Sequence, residues 1–107
     1  MPLRIEPYQE LVLREGEEEL YTLDMVEHLG GDTVDAHVMT ITDKDNGSDV
    51  TGTFSGMVSE SEGVLSFGIK AASSGNYTIK LWVTCNELLP DAVTPREFLV
   101  VIDLVVL

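Results

Sequence analysis

The stretch Ser74-Gly75-Asn76-Tyr77-Thr78-Ile79-Lys80-Leu81-Trp82-Val83-Thr84-Cys85 decides the fold. Tyr77, Ile79, Leu81, Val83 and Cys85 alternate with Thr78, Lys80, Trp82 and Thr84. This period of two puts the first set on one face of a strand, to be buried, and the second set on the other. The Ser/Gly pair ahead of Tyr77 supplies a turn. Nowhere does the chain hold apolar residues at helical spacing over a window long enough to compete with this pattern.

Outward from that strand, the chain reads as further strands separated by turn chemistry, seven segments in all. Glu10 to Arg14 is an edge candidate or an arm, after a lead in which Pro2 and Pro7 deny backbone donors to a sheet. Glu18 to Val26 alternates Tyr21, Leu23 and Met25 against Thr22 and Asp24. It ends at His28-Leu29-Gly30-Gly31-Asp32, where the paired glycines permit a tight reversal. In Val34 to Thr42 either face is eligible for burial, Val34, Ala36 and Val38 or His37, Met39 and Ile41, and a bulge would switch between them. Asn46-Gly47 within Asp43 to Asp49 predicts a hairpin turn, because both residues accept positive φ. Val50 to Val58, rich in Thr, Ser and Gly, predicts an edge strand that buries only Phe54, Met57 and Val58. Val64 to Ile69 turns Leu65, Phe67 and Ile69 one way. Pro90 and Pro95 make Leu88 to Pro95 a loop.

The last segment, Glu97 to Leu107, departs from the pattern. Phe98, Val100, Ile102, Leu104 and Val106 suit a core, but Leu99, Val101, Val105 and Leu107 make the opposite face apolar as well, where a sandwich strand is expected to be polar. Cover from the Leu88–Pro95 loop or from the lead would account for this. So would contact with another subunit, because monomers seldom expose large contiguous apolar patches. Leu99, Val101, Val105 and Leu107, with Trp82 on the outer face of its own strand, are therefore the interface candidates.

With 107 residues the chain is read as one domain over 17–107 preceded by a lead over 1–16. Nineteen acidic residues against six basic give a formal charge of −13, which repels phosphate backbones and anionic lipid, so neither nucleic acid nor membrane is expected as a partner. The single cysteine, Cys85, falls on the inward face and reads as apolar filler. Met1 to Pro7 lacks the basic start and apolar run of a signal peptide, so export by the usual route is not expected.

No residue set carries catalysis or a cofactor. The acids of Asp43 to Asp49 fail the register of a calcium loop, which places Gly sixth and Glu twelfth where this chain has Ser48 and Phe54. They read as solvated turn residues, with weak cation binding left open. His28 and His37 have no second ligand at zinc spacing. None of the serines sits in a nucleophile elbow, and no phosphate loop is present. An enzyme is not expected.

A tyrosine entering a strand directly after a Ser/Gly turn resembles the tyrosine corner of immunoglobulin-like folds, in which the phenol bonds upstream backbone. The fold expected is thus all-β, an immunoglobulin-like sandwich of about seven antiparallel strands, with Tyr77, Gly30, Asn46 and Gly47 in structural roles. Tyr21-Thr22-Leu23-Asp24-Met25, then Leu29-Gly30-Gly31-Asp32-Thr33-Val34, and later Gly75-Asn76-Tyr77-Thr78-Ile79, resemble small phage proteins described as fibre–tail adaptors. The resemblance covers about Glu17 to Leu107. The longer lead, His28 in place of an aromatic residue and the apolar last strand depart from it. It implies a non-enzymatic building block of a tailed-phage virion, made in the host cytoplasm and repeated as a homo-oligomer in the particle, with tail, connector or fibre proteins as partners. The alternative is a stand-alone adhesion or carbohydrate-binding sandwich that uses Trp82 and the acidic loop.

Overall fold

Two β-sheets packed face to face form the molecule in the computed structural model, which describes residues 3–5 and 10–107. The strands are β1 (Leu3–Ile5), β2 (Leu11–Leu13), β3 (Glu18–Asp24), β4 (Val34–Asp43), β5 (Ser55–Ser61), β6 (Val64–Lys70), β7 (Gly75–Leu88) and β8 (Pro95–Val106). Single helical turns, α1 (Val26–Leu29) and α2 (Thr51–Phe54), interrupt them. One sheet runs β1-β8-β7-β4, with β2 also on β8, and the other runs β3-β6-β5. The fold is an all-β sandwich.

The alternation read from the sequence lands in the core. Tyr77, Ile79, Leu81, Val83 and Cys85 on β7 are buried beside Phe98, Val100, Ile102, Leu104 and Val106 on β8. They face Leu65, Phe67 and Ile69 of β6, and the Phe54 ring packs on Tyr77 at 4.5 Å between centroids. Each large apolar side chain buried here contributes on the order of 1.5–3 kcal/mol relative to an exposed one. On β4 the inward set is His37, Met39 and Ile41, and Val38 is 57% exposed, which settles the face that the sequence left open. The register does shift on this strand, between Val34 and Ala36.

Four local expectations need correction. The stretches read as continuous strand at Val26 and at Val50 to Phe54 contain helical turns instead. The Asp24 carboxylate accepts the Val26 N–H at 2.9 Å and starts α1, and Gly30, at φ 58°, ends it. Likewise the Asp49 carboxylate accepts the Thr51 N–H at 2.9 Å, and α2 carries Phe54 into the core. Met57, expected to be buried, has a side chain outside the described residues.

The Asn46-Gly47 turn does not join two strands of one sheet. Gly47 is at positive φ but Asn46 is not; the turn closes on itself through the Asp43 N–H and the Ser48 carbonyl (2.9 Å), and the chain then crosses to the other sheet. The two-residue hairpin turn lies at Glu62-Gly63, both at positive φ, between β5 and β6. Finally, the strands are not all antiparallel. Leu3–Ile5 and Leu11–Leu13 both pair parallel with β8, so part of the lead belongs to the sheet; Pro2 and Pro7 lie outside the described residues.

Candidate interaction surface

The outer face of the β4-β7-β8 sheet gathers some of the candidate residues and separates others. Strand register aligns Val38, Trp82 and Leu99 as direct cross-strand neighbours in one row. Val38 is 57% and Trp82 38% exposed, whereas Leu99 is half-buried. The next row is Thr40, Lys80 and Val101, and the one after is Thr42, Thr78 and Asp103. Lys44 reaches over to the Asp103 carboxylate at 2.7 Å. Beyond this polar band, Asn76, Val105 and Val12 form another row, with Leu107 exposed at its end.

The interface expected along β8 is therefore two apolar patches and not one. Leu99 and Val105 are six residues apart on a strand, about 20 Å at 3.3 Å per residue. Trp82 and Leu99 come together, joined by Val38, which the sequence reading did not single out. Its signal was available in the β4 alternation once the bulge put His37 inward. Val101 lies beside Lys80, and Leu99, Val101 and Val105 are all half-buried.

Structural residues expected from the sequence sit as follows. The Tyr77 hydroxyl donates to the Ser73 carbonyl at 3.0 Å and meets the Ser73 hydroxyl at 3.1 Å, closing the corner between β6 and β7. Gly75 precedes it at φ 145°, and a Cβ there would lie 3.2 Å from the Tyr77 oxygen, so only glycine fits without displacement. Gly30 holds the left-handed position after α1.

Sequence reasoning missed a charged clip at the other end of β7. The buried Asp32 carboxylate accepts the Thr33 N–H (2.7 Å) and the Glu87 N–H (3.0 Å), and pairs with the Arg96 guanidinium at 3.2 Å. Arg96 also donates to the Leu29 and His28 carbonyls and to Glu87, and it lies 5.3 Å over the Phe98 ring. Burial favours the neutral acid of Asp32, but the Glu87 and Thr33 N–H donors and Arg96 outweigh it and hold the carboxyl below its ordinary range. Sixty-four residues separate Asp32 from Arg96, and no local pattern links them.

Burial pushes the Cys85 thiol up, and the Asp32 carboxylate acts in the same direction, so the unreactive thiol form dominates at neutral pH. In the acidic turn the side chains serve as caps: Asp43 accepts the Asp45 N–H and Asn46 accepts the Ser48 N–H, each at 2.8 Å. A groove of about 420 Å³ lies between α1 and the β5–β6 turn, lined by Val26, Leu29, Val34 and Gly63 among others. Two of its carboxylates are committed, Asp32 to Arg96 and Glu60 to the Gly63 N–H.

No protein-family model matches this chain, and a search of curated proteins finds no match.

Proposed function

We propose that the protein is a non-enzymatic structural module of a tailed-phage virion, an immunoglobulin-like adaptor or connector that joins tail or fibre proteins and repeats as a homo-oligomer in the particle after synthesis in the host cytoplasm. The observation that carries a binding role is the Val38–Trp82–Leu99 row, an apolar strip centred on a half-exposed tryptophan in a protein of charge −13. Tryptophan in such a setting is the residue type that dominates protein–protein contacts. The virion assignment comes from the adaptor-like segments in the sequence.

The immunoglobulin-like reading is supported by strand order. β3-β6-β5 opposite β4-β7-β8 follows the B-E-D and C-F-G arrangement of those sandwiches, and Tyr77 stands at the corner that leads into the F position. The carbohydrate reading is less well served. A sugar stacked on Trp82 would need hydrogen-bonding side chains beside it; directly across the strands it meets valine and leucine, and Thr40, Lys80 and Thr84 stand in the adjoining rows.

The test uses Trp82→Ser in the phage that encodes the chain. The wild-type protein is expected in gradient-purified particles by mass spectrometry, and the variant, folded by circular dichroism, is expected to fall at least tenfold in them. Absence of the wild-type chain from purified particles ends the virion reading.

A further inference from the structure

One sheet edge leaves regular main-chain groups open. The Val50 N–H donates to the Ile41 carbonyl, the Ile41 N–H donates to Thr51 Oγ1 and the Asp43 N–H donates to the Ser48 carbonyl, so residues 41 and 43 turn away from β7. The Lys44 N–H instead donates to the Asn76 carbonyl on the β7 side. Main-chain groups of an antiparallel strand alternate between its two sides. Because the β4 register is unbroken from Ala36 to Asp43, His37 and Met39 must also aim their N–H and C=O groups away from β7. Among the described residues no partner meets them, since the 48–51 segment stops at Ile41.

The two edges of the β3-β6-β5 sheet are guarded. Glu18 and Glu19 stand at the start of β3, and β5 is irregular between Ser55 and Val58. Bulges and charges of this kind are how edges are kept from pairing. Between Ala36 and Met39, β4 has no proline, charged residue or bulge. Carboxylates flank it, Asp35 at one end and Asp43, Asp45 and Asp49 at the other; of the nearby cations, Lys44 is held on Asp103 and Lys80 stands on β7 opposite Thr40.

We propose that the free edge of β4 accepts an extended, basic segment of a partner protein as an added strand, paired through the main chain of His37 and Met39. Its apolar side chains continue the Leu99–Trp82–Val38 row, and its lysines or arginines meet Asp35 and the acidic turn. A second copy of the chain would bring the same carboxylates and the same −13 charge against them, so charge complementarity selects a basic partner. The existence of a partner rests on the assembly reading above; the strand geometry does not.

The probe is a synthetic peptide alternating lysine with valine and threonine, compared with the same peptide carrying N-methyl groups on alternate backbone amides, which keeps its charge but cannot pair. Amide exchange by NMR is expected to slow at least tenfold at His37 and Met39 when the first peptide is added and to stay unchanged with the second. His37→Pro removes an outward-facing donor without a bond to β7, and it should weaken the first peptide at least tenfold while leaving the fold intact. Equal binding of both peptides, or a Trp82 fluorescence change without protection at His37 and Met39, removes the added strand while leaving a face-docking partner possible. Salt-dependent dimerisation that protects these two amides without peptide assigns the edge to a second copy and overturns the proposal.

Discussion

The two ends of β7 are pinned by different chemistry. At its start a neutral phenol, Tyr77, bonds backbone at a corner where Ser73 and Ser74 are exposed. Toward its end the Glu87 N–H joins a buried carboxylate that also holds Arg96 on β8. Water can replace the first set of bonds when they are lost, but it has little access to the second. The energetic weight of such a closure depends less on its geometry than on the solvent left around it when broken.

The largest loss is expected from Asp32→Ala. It leaves Arg96 without its buried partner and two N–H groups without acceptors, and should cost about 3–5 kcal/mol in a urea titration. A stability loss no larger than that of an exposed substitution would mean that Arg96 relaxes into solvent on its own. Gly75→Ala comes next. Positive φ together with the 3.2 Å approach to the Tyr77 oxygen should cost about 1–3 kcal/mol by thermal unfolding, and more than Tyr77→Phe, because it strains the backbone as well as the bond.

Tyr77→Phe itself should cost about 1 kcal/mol, since Ser73 remains hydrated. Acid separates the two ends without a change of core. The folded Asp32 carboxyl titrates below its unfolded value, so its stabilisation is present in full above the unfolded pKa and is lost as pH falls through the folded one. Between about pH 5 and pH 3, bracketing the unfolded value near 4, the melting temperature of the wild type should drop more than that of Asp32→Asn, whereas Tyr77→Phe should keep the wild-type slope. The smallest effect belongs to Lys44→Met. Its ion pair with Asp103 is about half exposed on both sides, and its removal should change stability by less than about 0.5 kcal/mol.

How far the sequence reached follows from the length over which each signal acts. The alternation on β7 and β8 runs over 14 and 12 residues, long enough to specify both strand and face, so the core was legible almost residue by residue. The helical turns at Val26–Leu29 and Thr51–Phe54 span four residues each, little more than one helical repeat, and periodicity cannot register them. Asn46-Gly47 announced a reversal correctly but could not say which sheet the chain would enter next. At the candidate surface, Trp82 and Leu99 were visible as outward-facing residues of separate strands. Their alignment with Val38 depends on cross-strand register, which is a tertiary property. The Asp32–Arg96 pair was invisible for the same reason.

β8 lies between β7 on one side and β1 with β2 on the other, so its pairing joins the earliest described residues to the latest. While the chain emerges from the ribosome, β2 and the β8-facing edge of β7 have no strand to pair with until the residues up to Val106 arrive. Completion of this sheet waits for β8, and a chain stalled or shortened before it presents an unpaired strand edge to the cell. Chaperone demand during synthesis should therefore stay high until Pro95–Val106 has been released.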